Sequence, residues 1–74
     1  MTGRHEASGL VNTLKDLRAE RGWSQEELAA RVGVTRKTIN TVERGKFIPS
    51  TVLALKLAEV LERPVETIFR LEEG

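Results

Sequence analysis

The chain has 74 residues, with 12 Lys and Arg, 11 Asp and Glu, a single His and no Cys. This length predicts one small domain, and the lack of cysteine excludes disulfides and thiolate metal sites. No apolar stretch approaches the ~18 residues that span a bilayer, and the N-terminus lacks a secretory signal. We therefore expect a cytoplasmic protein without a metal or other cofactor.

The first helical signal follows a polar N-terminal stretch. Residues 1–9 are expected to form a flexible tail, which leaves residues 10–74 as the domain. Leucines at positions 10, 14 and 17 recur at helical spacing, and Gly22 follows as a glycine does just past a helix end. This pattern predicts a first helix over residues 12–21.

Two further helices are predicted to be joined by a very tight turn. Ser24 and Glu27 form a capping box, which fixes the start of the second helix. Gly33 supplies the left-handed residue that ends this helix, and Thr35 caps a third helix over residues 36–44. Two short helices in this arrangement form a helix-turn-helix.

The C-terminal third predicts two more helices. A continuous apolar stripe behind the cap Ser50 predicts a fourth helix over residues 51–62, which Pro64 ends. A short fifth helix is expected to begin at Val65 and to end near Arg70. The fold class is therefore all-α, with five helices.

Positive charge is concentrated in the middle of the chain. Residues 31–50 contain five basic residues and one acidic residue, whereas residues 51–74 contain three basic and five acidic residues. Charge alone does not distinguish a solvated face from a nucleic-acid surface. The outer face of the third helix, however, combines cationic with hydrogen-bonding side chains: Arg36, Lys37, Asn40, Thr41 and Arg44.

Four segments of the sequence, in this order and at this spacing, are together specific for one known family. The chain resembles the Cro/C1-type helix-turn-helix repressors, also called the XRE family, from Thr13 to Phe69. The segments are Leu17–Gly22, Ser24–Ala29, Val34–Asn40 and Glu43–Ser50. The resemblance implies a lambda repressor-like domain that binds double-stranded DNA in a sequence-specific way, with the helix over residues 36–44 in the major groove.

The resemblance also assigns roles to individual residues of this chain. The positions that match base contacts are Arg36, Lys37 and Thr41. The positions that match phosphate contacts are Gln25, Thr38, Asn40, Arg44 and Lys46. Arg36 and Lys37 could instead serve only solubility, and Asn40 and Arg44 could be ordinary helix-surface residues. Family members pair the positions of Arg18 and Glu43 in an ion pair, and Trp23 is expected to pack against the fourth helix.

A homodimer is expected because one recognition helix reads only a few base pairs. Two copies would bind an inverted repeat with half-sites about 34–36 Å apart. The candidate interface residues are Val65, Ile68, Phe69 and Leu71. In the shortest relatives, the C-terminal segment pairs as a strand with the segment before the first helix, which here would join residues 10–12 to residues 69–72. The alternative is that Leu10 and Val11 extend the first helix.

Repression is favoured over activation because occupancy of DNA is enough to block polymerase. The same fold also serves antitoxins and other protein-interaction modules, which ordinarily need an additional binding segment. An enzyme is not expected, since no nucleophile or metal cluster accompanies the carboxylates. No segment is long enough for a small-molecule effector domain with a pocket of ~300 Å³ or more.

Overall fold

The computed structural model describes residues 9–72, which form five helices and two short strands. In chain order these are β1 (Leu10–Asn12), α1 (Leu14–Glu20), α2 (Gln25–Val32), α3 (Arg36–Glu43), α4 (Thr51–Leu61), α5 (Val65–Ile68) and β2 (Phe69–Leu71). Residues 1–8 of the predicted tail lie outside the described residues. Within residues 9–72, no helix is long and apolar enough to cross a membrane.

Local capping sets the start of three helices. Ser24, Thr35 and Ser50 precede α2, α3 and α4, and each side-chain oxygen accepts a hydrogen bond from the backbone N–H three residues later, at 3.0, 3.2 and 3.0 Å respectively. These bonds satisfy donors that have no partner within the helix. The starts of α2, α3 and α4 are therefore those that the sequence predicts.

Four helices end slightly earlier than predicted. The first ends at Glu20, with Arg21 as its capping residue. Arg44 and Glu62 are the capping residues of α3 and α4 rather than their last helical residues, and Glu62 adopts a left-handed φ of 57°. The fifth helix ends at Ile68, not near Arg70, because the chain enters β2 at Phe69.

The two strands form a small antiparallel sheet. Leu10 pairs with Leu71, and Asn12 pairs with Phe69. The backbone N–H of Thr13 donates to Ile68 O at 2.9 Å, so α1 begins at Leu14 rather than at residue 12. The sheet excludes the alternative in which Leu10 and Val11 extend the first helix. Gly9, predicted to belong to the tail, accepts a hydrogen bond from the N–H of Glu72.

All five helices contribute to one apolar core. Its buried members are Leu14, Leu17, Leu28, Ala29, Val32, Ile39, Val42, Leu53, Leu57, Leu61 and Ile68. Ile68 is fully buried within the single chain. It therefore packs in the core of one molecule, and the predicted dimer interface needs correction at this position.

Candidate nucleic-acid interface

α3 divides sharply into a buried and an exposed face. Ile39 and Val42 are 0% and 1% exposed and anchor the helix in the core. Arg36 and Lys37 lie in the first turn on the opposite side and are exposed. Together with Asn40 they line a shallow depression of about 310 Å³. Anchoring of the inner face thus presents two cations and an amide to solvent.

Two threonine hydroxyls on α3 make local hydrogen bonds, one within the helix and one to its cap. Thr41 Oγ1 lies 3.0 Å from the carbonyl oxygens of both Lys37 and Thr38 and can donate its single proton to either. Thr38 Oγ1 lies 3.0 Å from the hydroxyl of the cap Thr35. A hydroxyl that donates internally keeps its acceptor capacity and its methyl group for other contacts.

A nearly buried ion pair joins α1 to the last residue of α3. Arg18 Nε donates to Glu43 Oε2 at 2.7 Å, and Arg18 Nη2 donates to Glu43 Oε1 at 3.3 Å. The two side chains are 14% and 4% exposed. Arg18 Nη1 also donates to Trp23 O at 2.8 Å, so the guanidinium bridges α3 and the turn before α2.

The ion pair extends to two polar residues at the surface. Gln25 Nε2 donates to Glu43 Oε1 at 3.0 Å, and Asn40 Nδ2 approaches Gln25 Oε1 at 3.5 Å. Gln25 and Asn40 were predicted separately as phosphate contacts. The structure brings them into direct contact. Glu43 orients the Gln25 amide and leaves its second N–H for another acceptor.

Arg44 and Lys46 follow α3 and are exposed. Between them, Gly45 adopts a φ of 74°, and Lys46 N donates to Thr41 O at 2.9 Å. This turn keeps both cations at the C-terminal end of α3, whereas Arg36 and Lys37 lie at its N-terminal end. Positive charge therefore flanks the exposed face at both ends.

The predicted interface residues differ in their exposure. Val65 and Phe69 are half-buried and, with Leu10 and Leu55, line an open cleft beside the sheet. Leu71 and Leu55 are 72% and 55% exposed. Without the buried Ile68, the predicted interface consists of Val65 and Phe69 in this cleft and of Leu71, which pairs with the cleft residue Leu10 across the sheet.

Sequence patterns did not reveal two other arrangements. Asn12 donates from Nδ2 to Val42 O in α3 at 3.0 Å, a contact between residues 30 positions apart. Trp23 packs against the core, and two guanidinium groups lie over its ring. The Cζ atoms of Arg31 and Arg21 are 4.1 and 5.3 Å from the ring centroid. An Asn two residues before a helix is a local signal for a cap, but its second partner is set by tertiary structure.

Comparison with known proteins assigns this chain to a protein family. A family model described as helix-turn-helix matches residues 14–74. An uncharacterized HTH-type transcriptional regulator of Bacillus subtilis, YgzD, is 47% identical over 64 residues, which cover 86% of this chain and 97% of that protein. A second such regulator, from Methanothermobacter thermautotrophicus, is 49% identical over 61 residues, covering 81% of this chain and 88% of the relative.

A solved structure extends the comparison to three dimensions. The restriction-modification controller protein C.AhdI from Aeromonas hydrophila is 41% identical, with a TM-score of 0.69. The match covers 73% of this chain and 82% of the controller protein. The structural comparison thus agrees with the sequence comparison.

Proposed function

Because the chain belongs to the Cro/C1-type (XRE) family of helix-turn-helix transcriptional regulators, we propose that it represses transcription as a homodimer bound to an inverted-repeat operator. In this proposal α3 enters the major groove of double-stranded DNA. The observation that carries the proposal is the division of α3 into a fully buried apolar face and an exposed face with Arg36 and Lys37 in its first turn.

Arg36, Lys37 and Thr41 read base edges. Guanine presents two acceptors in the major groove, which suit Arg36 and Lys37, and a good bidentate contact discriminates by about 1–3 kcal/mol. Thr41, whose hydroxyl proton bonds a carbonyl of its own helix, contributes as an acceptor or through its methyl group. It therefore suits an exocyclic amine of a base or the methyl group of thymine.

The phosphate contacts set the register of the protein on DNA. Lys46 and Arg44 contact the backbone beyond the end of α3, and Thr38 lies at the groove wall. Gln25 donates its second amide N–H to a phosphate while Glu43 holds the first, and Asn40 lies beside it. The N-terminal amides of α2 strengthen the same anion site.

The homodimer forms through the apolar surface around β2. Leu71 and Leu55 are exposed apolar side chains, and Val65 and Phe69 line the adjacent cleft. The two-fold axis of such a dimer places two α3 helices about one DNA turn apart, which matches an inverted repeat.

The test is selection of duplexes from a random pool by the purified protein, followed by titration of the selected sequence at two salt concentrations. An inverted repeat with centres about ten base pairs apart supports the proposal. Weak, salt-sensitive binding without any consensus contradicts it and favours a protein-interaction module, such as an antitoxin, instead.

A further inference from the structure

The side chain of Asn12 connects the terminal sheet to the end of α3. Asn12 is the last residue of β1 and pairs with Phe69 of β2. Its Oδ1 accepts from the backbone N–H of Leu14 at 3.0 Å, and its Nδ2 donates to Val42 O at 3.0 Å. One partly buried amide thus caps the start of α1 and holds a carbonyl of α3.

The carbonyl that Asn12 holds belongs to the last turn of α3. Carbonyls in this turn have no regular helical partner. Lys46 N, which would be the helical donor to Val42 O, donates to Thr41 O instead. Val42 O accepts from Gly45 N at 3.0 Å, and Asn12 fills its second acceptor position.

The next residue of α3 is held from a different element. Glu43 is bound by Arg18 of α1, while Val42 is bound by Asn12 of β1. Attachment at two consecutive residues restricts both the rotation of α3 about its axis and its tilt. Because an eight-residue helix is about 12 Å long, a tilt of about 10° at this end moves the first turn by about 2 Å. A displacement of that size breaks a hydrogen bond to a base edge.

We propose that Asn12 is a positioning residue, which fixes the orientation of α3 relative to the terminal sheet. For its effect on DNA the inference rests on the proposed function, since Arg36 and Lys37 lie on the first turn that the attachment aligns. The sheet also contains β2, which carries Leu71 of the proposed dimer surface. Asn12 therefore connects α3 to the sheet that carries part of the proposed dimer surface. In the proposed dimer, this connection helps to set the distance between the two α3 helices.

Two substitutions keep the hydrogen bond that caps α1 and remove the hydrogen bond that holds α3. Asn12→Asp retains the size of the side chain and the acceptor for Leu14 N–H but has no donor for Val42 O. Asn12→Ser also retains an acceptor, introduces no charge and is too short to reach α3. The matched control is Thr13→Val, which removes the bond from Thr13 Oγ1 to Thr67 O at 2.9 Å. That bond is of the same kind and begins at the neighbouring residue, but it ends at α5.

The first measurement is amide hydrogen exchange in the full chain without DNA. Both Asn12 variants are expected to exchange about tenfold faster at Gly45 and in the last turn of α3, with α1 unchanged. Thr13→Val is expected to leave exchange in α3 as in the unmodified chain. Unchanged exchange in α3 of both Asn12 variants overturns the inference, whatever the chain does on DNA.

The second measurement is the ratio of affinities for the selected operator and for random duplex. The neutral Asn12→Ser variant is expected to lower this ratio about tenfold at nearly constant affinity for random DNA, and to accept more than one half-site spacing. Loss of thermal stability alone, with an unchanged ratio and spacing, overturns the positioning role. If the unmodified chain selects no operator, the proposed function fails, and the exchange data still decide whether Asn12 holds α3.

Discussion

Arg18 of α1 donates from Nε to Oε2 of Glu43, the last residue of α3, over 2.7 Å. Glu43 also accepts from Gln25 of α2, so one carboxylate joins the first three helices. The side chain of Glu43 is only 4% exposed. A charge with so little access to water depends on its partners, so loss of either member of this pair leaves the other charge largely buried and unpaired.

Replacement of Glu43 by Ala is expected to destabilise the fold by about 3–5 kcal/mol, because the Arg18 guanidinium then stays largely buried without a countercharge. Thermal or urea unfolding measures the loss. The control is Glu20→Ala, which removes an exposed ion pair in which Arg63 Nη2 lies 3.0 Å from Glu20 Oε1. This control is expected to lower the free energy of unfolding by at most about 1 kcal/mol. An unchanged melting temperature for Glu43→Ala contradicts the prediction.

Replacement of Arg36 by Ala is expected to relax base preference at one position of each half-site. Loss of one bidentate contact to guanine costs about 1–3 kcal/mol on the preferred sequence and much less on random DNA. Competition titrations with operator variants measure the difference. Equal losses on specific and random duplexes would mean that Arg36 does not read a base.

Replacement of Lys46 by Ala is expected to weaken binding to all duplexes alike. A phosphate contact carries no sequence information, and its removal lowers the slope of log affinity against log salt by about one unit per chain. Titration at several salt concentrations gives the slope. A change in base preference without a change in slope would assign Lys46 a different role.

Replacement of Gly33 by Ala is expected to destabilise the chain by about 1–2 kcal/mol through its backbone alone. Gly33 has a φ of 78°, and a Cβ added there meets nothing within 4 Å. Gly33→Asn is the matched variant, since Asn tolerates the left-handed conformation better than Ala does. Equal unfolding midpoints for the Ala and Asn variants would remove backbone conformation as the explanation.

Replacement of Leu71 by Ser is expected to shift the proposed homodimer towards monomer, because Leu71 is the most exposed large apolar residue of the proposed surface. Sedimentation at several protein concentrations without DNA measures the shift. Val52→Ser is the control: Val52 is 62% exposed but lies near the start of α4, whereas Leu71 lies on a strand of the sheet beside the cleft. A variant that associates as strongly as the unmodified chain would move the interface elsewhere.

The sequence alone determined the local features of this protein. Ser24, Thr35 and Ser50 fix the helix starts because each cap requires only a backbone amide three residues away. Gly33 fixes the turn for a similarly local reason, its positive φ. The alternation of Ile39 and Val42 with basic residues likewise predicts which face of α3 is exposed, since helical periodicity needs no knowledge of the partner.

Tertiary structure decided the contacts between distant segments. Leu10 lies opposite Leu71, and pairing of short strands from the two ends of the chain depends on how the helices between them pack. The same packing buries Ile68, whose place in the core no local pattern distinguishes from that of its exposed neighbours. Asn12 likewise contacts Val42, 30 positions further along the chain, only after the segment between them has folded. Sequence spacing predicts neighbours along one element, whereas contacts between elements follow from the balance of burial and chain entropy over the whole domain.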